Sequence, residues 1–141
     1  MGRIVAIDFG TVRIGIALTD AGQRIAQPYK CLQAKKTLEA TAAFIASELA
    51  TFSPLDSIVL GLPLHMNMKE SPLSLEVRRF AEILKQTMQV PVILWDERLS
   101  TALVEKCLKE GNVRRKDRTP LVDALVATYL LQNYLAKIQN V

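Results

Sequence analysis

The stretch IVAIDFGTVRIGIALTD, residues 4–20, decides the fold class and raises the first question about function. Residues 3–9 read as a strand that is apolar on both faces, which predicts a central position in a sheet. Residues 10–12 favour a hairpin turn, and RIGIALTD follows as a second strand. The first strand runs into a carboxylate, Asp8, which could bind a cation, shape the turn or contact a nucleotide phosphate.

Three further strands and four helices are predicted after this hairpin. The third strand, RIAQPYKCL, contains Pro28, which favours a sheet edge. Ser71 and Pro72 are typical of a helix start, with serine as the N-cap and proline at the first helical position. The other predicted segments are a helix over 37–50, a strand over 56–63, a helix continuing to 88, a strand over 90–97, and helices over 100–111 and 120–137. This order predicts an α/β fold with a mixed five-stranded sheet and helices on both faces.

Half of the residues are hydrophobic, and the net charge is +4. With this composition and length, we expect one folded domain over residues 1–141. The longest apolar run, residues 121–131, contains Asp123, so no membrane span is predicted. The N-terminus lacks a signal-peptide pattern because Asp8 interrupts its only apolar run. The spacing of Cys31 and Cys107 matches no zinc or redox motif. We therefore expect reduced thiols in a cytoplasmic protein that makes no membrane contact.

Positive charge is concentrated in one predicted loop, GNVRRKDR, residues 111–118. It contains Arg114, Arg115, Lys116 and Arg118 against a single acid. Such a loop can pair with the phosphates of a nucleic acid. The alternative is an ordinary solvated surface loop.

Carboxylates occur at the ends of two predicted strands and on one apolar helix face. Asp8 ends the first strand, Asp96 and Glu97 end the last, and Asp123 shares a face with apolar residues of the final helix. A buried carboxylate needs a partner, because an unpaired buried charge is costly. Ligands collect outside the carboxyl ends of strands in open α/β sheets. Three carboxylates without histidine or cysteine would form an all-oxygen site, which favours Mg²⁺ or Mn²⁺.

Each acid also has an ordinary structural interpretation. Asp8 could shape the turn that follows it, and Asp123 could pair with an arginine of the basic loop. Asp96 or Glu97 could pair with Arg98. Since neighbouring residues of a strand point to opposite faces, only one of Asp96 and Glu97 need face such a site.

Four motifs together resemble the YqgF/RuvX family: IDFGTVRIGIALTD (7–20), VLGLPLHM (59–66), DERLST (96–101) and VDALVATYLLQNYL (122–135). The resemblance covers nearly the whole chain. It implies an RNase H-like fold related to the RuvC resolvase and a metal-dependent nuclease using Mg²⁺ or Mn²⁺. The substrate it implies is precursor 16S rRNA, cut during 5′-end maturation in ribosome biogenesis, or branched DNA such as a Holliday junction.

The resemblance also assigns site residues. The family's acidic positions fall on Asp8, Glu97 and Asp123, which makes them the expected catalytic and metal-binding residues. Arg13 falls on the arginine of the family's first motif, and Ser100 and Thr101, within DERLST, fall on the family's Ser/Thr pair. We expect the phosphate contacts to come from Arg13, Arg98, Arg114, Arg115, Lys116 and Arg118.

One segment departs from the family pattern. In LHMNMKES, residues 64–71, His65, Asn67 and Met68 replace the usual Asn, Asp and Gly. No acid of the expected metal set is lost, but substrate choice could differ. His65 could shuttle a proton or contact phosphate, or be a polar surface residue. A geometric question also remains: the fifth strand of an RNase H-like sheet is two strands from the first, roughly 10 Å away, so Glu97 must reach inward.

Four functions compete. A nuclease acting on RNA would recognise shape and phosphates, since aromatic residues make up only 6% of the chain. A Holliday junction resolvase requires two sites related by two-fold symmetry and hence a homodimer, whereas the RNA nuclease could be a monomer or homodimer, with ribosomal particles as partners. A nucleotide hydrolase of the actin and sugar-kinase type needs a second lobe that this length does not provide. A non-catalytic nucleic-acid-binding module could retain the fold.

Overall fold

The computed structural model describes residues 2–63, 69–96 and 120–139. Within these ranges the chain forms five strands, three α-helices and one short 3-10 helix. The strands are β1 (Arg3–Asp8), β2 (Arg13–Thr19), β3 (Ala26–Gln33), β4 (Leu55–Leu62) and β5 (Val92–Asp96). The α-helices are α1 (Leu38–Leu49), α2 (Pro72–Met88) and α3 (Pro120–Gln139), and the 3-10 helix spans Ala50–Phe52.

The strands form one mixed sheet in the order β3-β2-β1-β4-β5. Strands β1, β2 and β3 are joined by antiparallel pairing, whereas β1, β4 and β5 run parallel. The parallel strands therefore end at one edge of the sheet, where Asp8 closes β1. Strand β3, which contains Pro28, is an edge strand as predicted.

Helices cover both faces of the sheet, which confirms the predicted architecture. Residues Val5 and Ile7 of β1 belong to the core beneath α1 and α2. Residues Ile4 and Ala6 belong to a second core beneath α3. This alternation is the reason that β1 is apolar throughout: it is buried on both sides.

The helix starts agree closely with the sequence signals. Ser71 caps α2 in a capping box with Ser74, and Pro72 is the first helical residue. Thr37 caps α1, which begins one residue later than predicted. The helix predicted over 100–111 lies outside the described residues. Among the residues that the structure describes, no helix combines the length and apolarity needed to cross a bilayer.

Candidate nuclease site

Asp8 is half-buried at the carboxyl end of β1, on the face of the sheet that α3 covers. Strand alternation places it on the same side as Ile4 and Ala6, which pack under that helix. Gly15 of β2 is its direct partner across the antiparallel ladder. On the other side, β4 places Gly61 next after Leu60, the partner of Ile7. The residues next to Asp8 on β2 and β4 are therefore both glycines, which add no side chain to this row of the sheet.

Helix α3 brings Asp123 to this row through a close contact with β2. A Cβ atom at Gly15 would collide with the backbone carbonyl oxygen of Asp123. Only glycine allows the first turn of α3 to lie this low on the sheet. Because Gly15 is the ladder partner of Asp8, the two acids are placed side by side although they come from opposite ends of the chain.

Asp123 is buried, with 8% of its surface exposed, and among the described residues two side chains form polar contacts with it. Arg13 Nε lies 3.0 Å from Asp123 Oδ2 and forms an ion pair with it. The Cys31 thiol donates a hydrogen bond to the same oxygen, with Sγ 3.6 Å away. The basic loop, whose arginines were the partners expected for a structural role, lies outside the described residues. Among the residues described, Arg13 of the first motif pairs with Asp123.

The Cys31 thiol is held in its protonated form. Burial raises the pKa of Cys31, and the neighbouring Asp123 carboxylate raises this pKa further. A protonated thiol is a hydrogen-bond donor, and through its bond to Oδ2 Cys31 orients the Asp123 carboxylate.

Both acids open onto one cavity of about 220 Å³. Its lining consists of Asp8, Phe9, Gly10, Thr11, Val12, Arg13, Leu73 and Asp123. The structure thus brings together three of the residues singled out in the sequence: Asp8, Asp123 and Arg13. Leu73 comes from the first turn of α2, so the capping box at Ser71 helps to place one wall of the cavity.

The donor chemistry of this cavity suits a hard divalent cation. Two carboxylates from different elements line it, and oxygen donors are those that Mg²⁺ and Mn²⁺ prefer. Among the described residues no set of three or more His, Cys, Asp or Glu side chains is grouped as a metal site. Two carboxylates are therefore in place, and the third expected ligand, Glu97, lies outside the described residues.

Strand β5 ends at Asp96, and the pairing of its last residues shows which face of the sheet Asp96 lies on. Trp95 packs into the core under α3 and stacks edge-on against Tyr134, with ring centroids 5.2 Å apart. Asp96 pairs with Leu62, which belongs to the opposite core. Asp96 therefore lies on the face away from Asp8, which supports leaving it out of the metal set. As expected, β4 lies between β1 and β5.

The remaining expected site residues lie outside the described part of the chain: Arg98, Ser100, Thr101, Arg114, Arg115, Lys116 and Arg118. The departures from the family pattern also lie outside it: His65, Asn67 and Met68. Sequence reasoning missed Gly15 and Cys31. A glycine inside an apolar strand is a known sign of close backbone approach and could have revealed Gly15. Cys31 had no such sign, because it meets Asp123 only through the pairing of β3 with β2.

Comparison with known proteins identifies the family to which the chain belongs. The family model described as "RuvX: Holliday junction resolvase" matches residues 2–137. A relative from Syntrophomonas wolfei named "Putative pre-16S rRNA nuclease" is 41% identical over 94% of this chain and 93% of its own length. A Bacillus cytotoxicus relative with the same name is 38% identical over 94% of this chain and 97% of its own length.

Solved structures show the same fold at low sequence identity. Thermus thermophilus RuvC, in complex with a Holliday junction substrate, has a TM-score of 0.58 at 12% identity, covering 99% of this chain and 97% of that one. The fowlpox virus Holliday junction resolvase has a TM-score of 0.55 at 16% identity, covering 96% and 99%. These likenesses confirm the predicted RNase H-like fold. The match over residues 2–137 and the identity to full-length relatives confirm the predicted family of nucleases: the chain belongs to the RuvX family.

Proposed function

We propose that this chain is a divalent-metal-dependent endonuclease that processes the 5′ end of precursor 16S rRNA during ribosome biogenesis. The observation that carries the proposal is the convergence of Asp8, Asp123 and Arg13 on one cavity at the carboxyl edge of the sheet. The names of the relatives supply the substrate. In this proposal, residues 1–141 form a single nuclease domain that acts in the cytoplasm, free or on ribosomal particles.

Asp8, Asp123 and Glu97 would hold Mg²⁺ or Mn²⁺. When bound, the ion would supply a Lewis acid that activates water for attack on the phosphodiester and neutralises charge at the leaving oxygen. Asp8 projects from a central strand, and Asp123 accepts a hydrogen bond from the Cys31 thiol. Ligands held this way lose little freedom when the ion binds, which favours a well-defined geometry.

The positive residues of the site would hold the backbone of the nucleic acid. Arg13 lies at the cavity itself, with a guanidinium suited to phosphate oxygens. Arg98, Arg114, Arg115, Lys116 and Arg118 are proposed as further phosphate contacts. Binding through phosphates would make the affinity for RNA fall as the salt concentration rises. Phosphate contacts do not read the base sequence, so the choice of substrate would depend on the shape of the RNA.

A second candidate substrate is a four-way DNA junction. The description of the matching family and the junction bound to Thermus thermophilus RuvC both favour it. A resolvase cuts two strands at symmetric positions and needs a homodimer, whereas cleavage at one RNA position is compatible with a monomer.

The test is cleavage of a labelled RNA spanning the 5′ end of precursor 16S rRNA, beside a labelled four-way DNA junction. Each substrate is incubated with Mg²⁺, with Mn²⁺ or with EDTA. Asp8→Asn removes the charge of one proposed ligand, and Glu82→Gln removes a carboxylate exposed on α2. RNA cleavage that requires metal, is lost in Asp8→Asn and is retained in Glu82→Gln supports the proposal. Symmetric junction cleavage with intact RNA would assign the resolvase activity, and binding of both substrates without cleavage would indicate a binding module.

A further inference from the structure

Arg13 is paired with Asp123, a carboxylate that is also a proposed metal ligand. Its Nε contacts Oδ2 of Asp123, the same oxygen that accepts the hydrogen bond from Cys31. The two partners differ in exposure: the side chain of Asp123 is 12% exposed and that of Arg13 is 32% exposed. The carboxylate is thus the more enclosed of the two groups, and both side chains line the cavity.

This ion pair stabilises the Asp123 carboxylate in the protein without a bound cation. A buried carboxylate without a counter-charge is costly, and Arg13 supplies that charge. A divalent cation on Asp123 would remove the need for Arg13 and would repel it, because like charges a few ångströms apart at a partly buried site destabilise each other.

The backbone at Arg13 is anchored, so the exchange needs only a side-chain rotation. The backbone N–H of Ala34 donates to the carbonyl of Val12 at 2.9 Å. Arg13 itself pairs with Gln33 in the ladder between β2 and β3. A long, partly exposed side chain on a fixed backbone can change partners without moving the sheet. Cys31 continues to donate to Asp123 and would keep the carboxylate oriented when Arg13 leaves.

From these contacts we propose that Arg13 holds Asp123 until a divalent cation binds and then transfers to a phosphate of the nucleic acid. The proposal rests on the proposed metal site at Asp8 and Asp123. Phosphate is the natural second partner, since the planar guanidinium matches carboxylate and phosphate oxygens equally well. Metal loading would then free the group that captures substrate, and by linkage each ligand would strengthen the binding of the other.

The exchange has an effect on metal affinity that a purely structural ion pair lacks. If Arg13 merely positioned Asp123, its removal would weaken Mg²⁺ binding. If Arg13 competes for Asp123, Arg13→Gln should tighten Mg²⁺ binding by about threefold while weakening RNA binding. Arg79→Gln, which removes an equal charge from an exposed position on α2, should leave both affinities unchanged.

The deciding measurement is an NMR titration of the wild-type chain with Mg²⁺, without nucleic acid. The Arg13 Nε–H signal is assigned by its absence from the spectrum of Arg13→Lys, which keeps the charge. The expected result is a shift or loss of this signal as the backbone signals of Asp8 and Asp123 respond to Mg²⁺. An Arg13 Nε–H signal that stays unchanged while the two acids respond would overturn the exchange.

The two proposals fail in different ways in this design. If no signal at the cavity responds to Mg²⁺, the metal assignment fails, and the exchange fails with it. If Arg13 leaves Asp123 on Mg²⁺ addition but no RNA is cut, the exchange stands and the nuclease proposal is wrong. Circular dichroism of Arg13→Gln checks that a changed Mg²⁺ affinity does not reflect loss of fold.

Discussion

Gly15 of β2 lies directly beneath the backbone carbonyl of Asp123, leaving no room for a Cβ atom. This single contact seats α3 on the sheet and places its acid beside Asp8, the ladder partner of Gly15. The geometry of the site therefore depends on the absence of a side chain as much as on the two carboxylates.

Gly15→Ala is expected to lower the free energy of unfolding by about 1–3 kcal/mol, because α3 must move away from β2 to accept the methyl group. Nuclease activity should fall as well, since Asp123 moves with the helix. Urea denaturation measures the first effect and RNA cleavage the second. Gly22→Ala is the matched control: the nearest atom that a Cβ there would meet is a side-chain oxygen of Asp20 at 3.4 Å, so a change within about 0.5 kcal/mol is expected. Equal stability of Gly15→Ala and wild type would contradict the close packing.

The cap of α2 gives a second test, because this helix contributes Leu73 to the cavity. Ser71 Oγ accepts from the backbone N–H of Ser74 at 3.0 Å, and the Ser74 hydroxyl accepts from the backbone N–H of Ser71. Ser71→Ala should cost about 1 kcal/mol of stability and reduce cleavage. Thr37→Ala removes the same kind of cap from α1, which contributes no residue to the cavity lining. Thr37→Ala should lower the free energy of unfolding by a similar amount and leave RNA cleavage unchanged. Equal cleavage by Ser71→Ala and Thr37→Ala would mean that the start of α2 does not contribute to the site.

The titration of Cys31 reports on the charge of Asp123. In a Cys107→Ser background, alkylation of Cys31 should rise with pH around a midpoint above the ordinary thiol pKa of 9.0, because burial and the carboxylate both raise the pKa. Asp123→Asn should lower this midpoint and speed alkylation at a fixed pH. The folded thiol keeps its proton at pH values where the unfolded thiol loses it. Its contribution to stability is therefore complete below pH 9.0 and is lost as pH rises through the folded-state pKa. An unchanged midpoint in Asp123→Asn would mean that the carboxylate does not act on the thiol.

Salt dependence tests the phosphate role of Arg13. The slope of log K against log salt for RNA binding is negative, and in Arg13→Gln its magnitude should fall by about 0.7 to 0.9, the loss expected for one phosphate contact. Arg79→Gln should leave the slope as in the wild type, since its side chain is exposed on α2 and does not line the cavity. A filter-binding series in the presence of EDTA and again with Mg²⁺ would show whether the contact depends on metal. No change of slope in either condition would remove Arg13 from the phosphate contacts.

Much of the architecture could be predicted from local patterns. The continuous apolar run marked β1 as a central strand, Pro28 marked β3 as an edge, and Ser71 with Pro72 marked the start of α2. These signals are local because strand burial and helix capping depend on a few neighbouring residues. The acids Asp8 and Asp123 could also be found this way, as charges in otherwise apolar segments.

The arrangement of the site was decided by tertiary structure. That Arg13 pairs with Asp123, and that Cys31 donates to the same oxygen, follows from the register of β2 with β3 and from the seating of α3 on Gly15. Nothing near Arg13 in the chain distinguishes a phosphate contact from a counter-ion. The sequence by itself determined which elements form and which residues carry the chemistry, since these depend on local hydrophobic pattern and residue type. The packing of β2, β3 and α3 determined which polar groups contact each other, because these contacts join residues about a hundred positions apart.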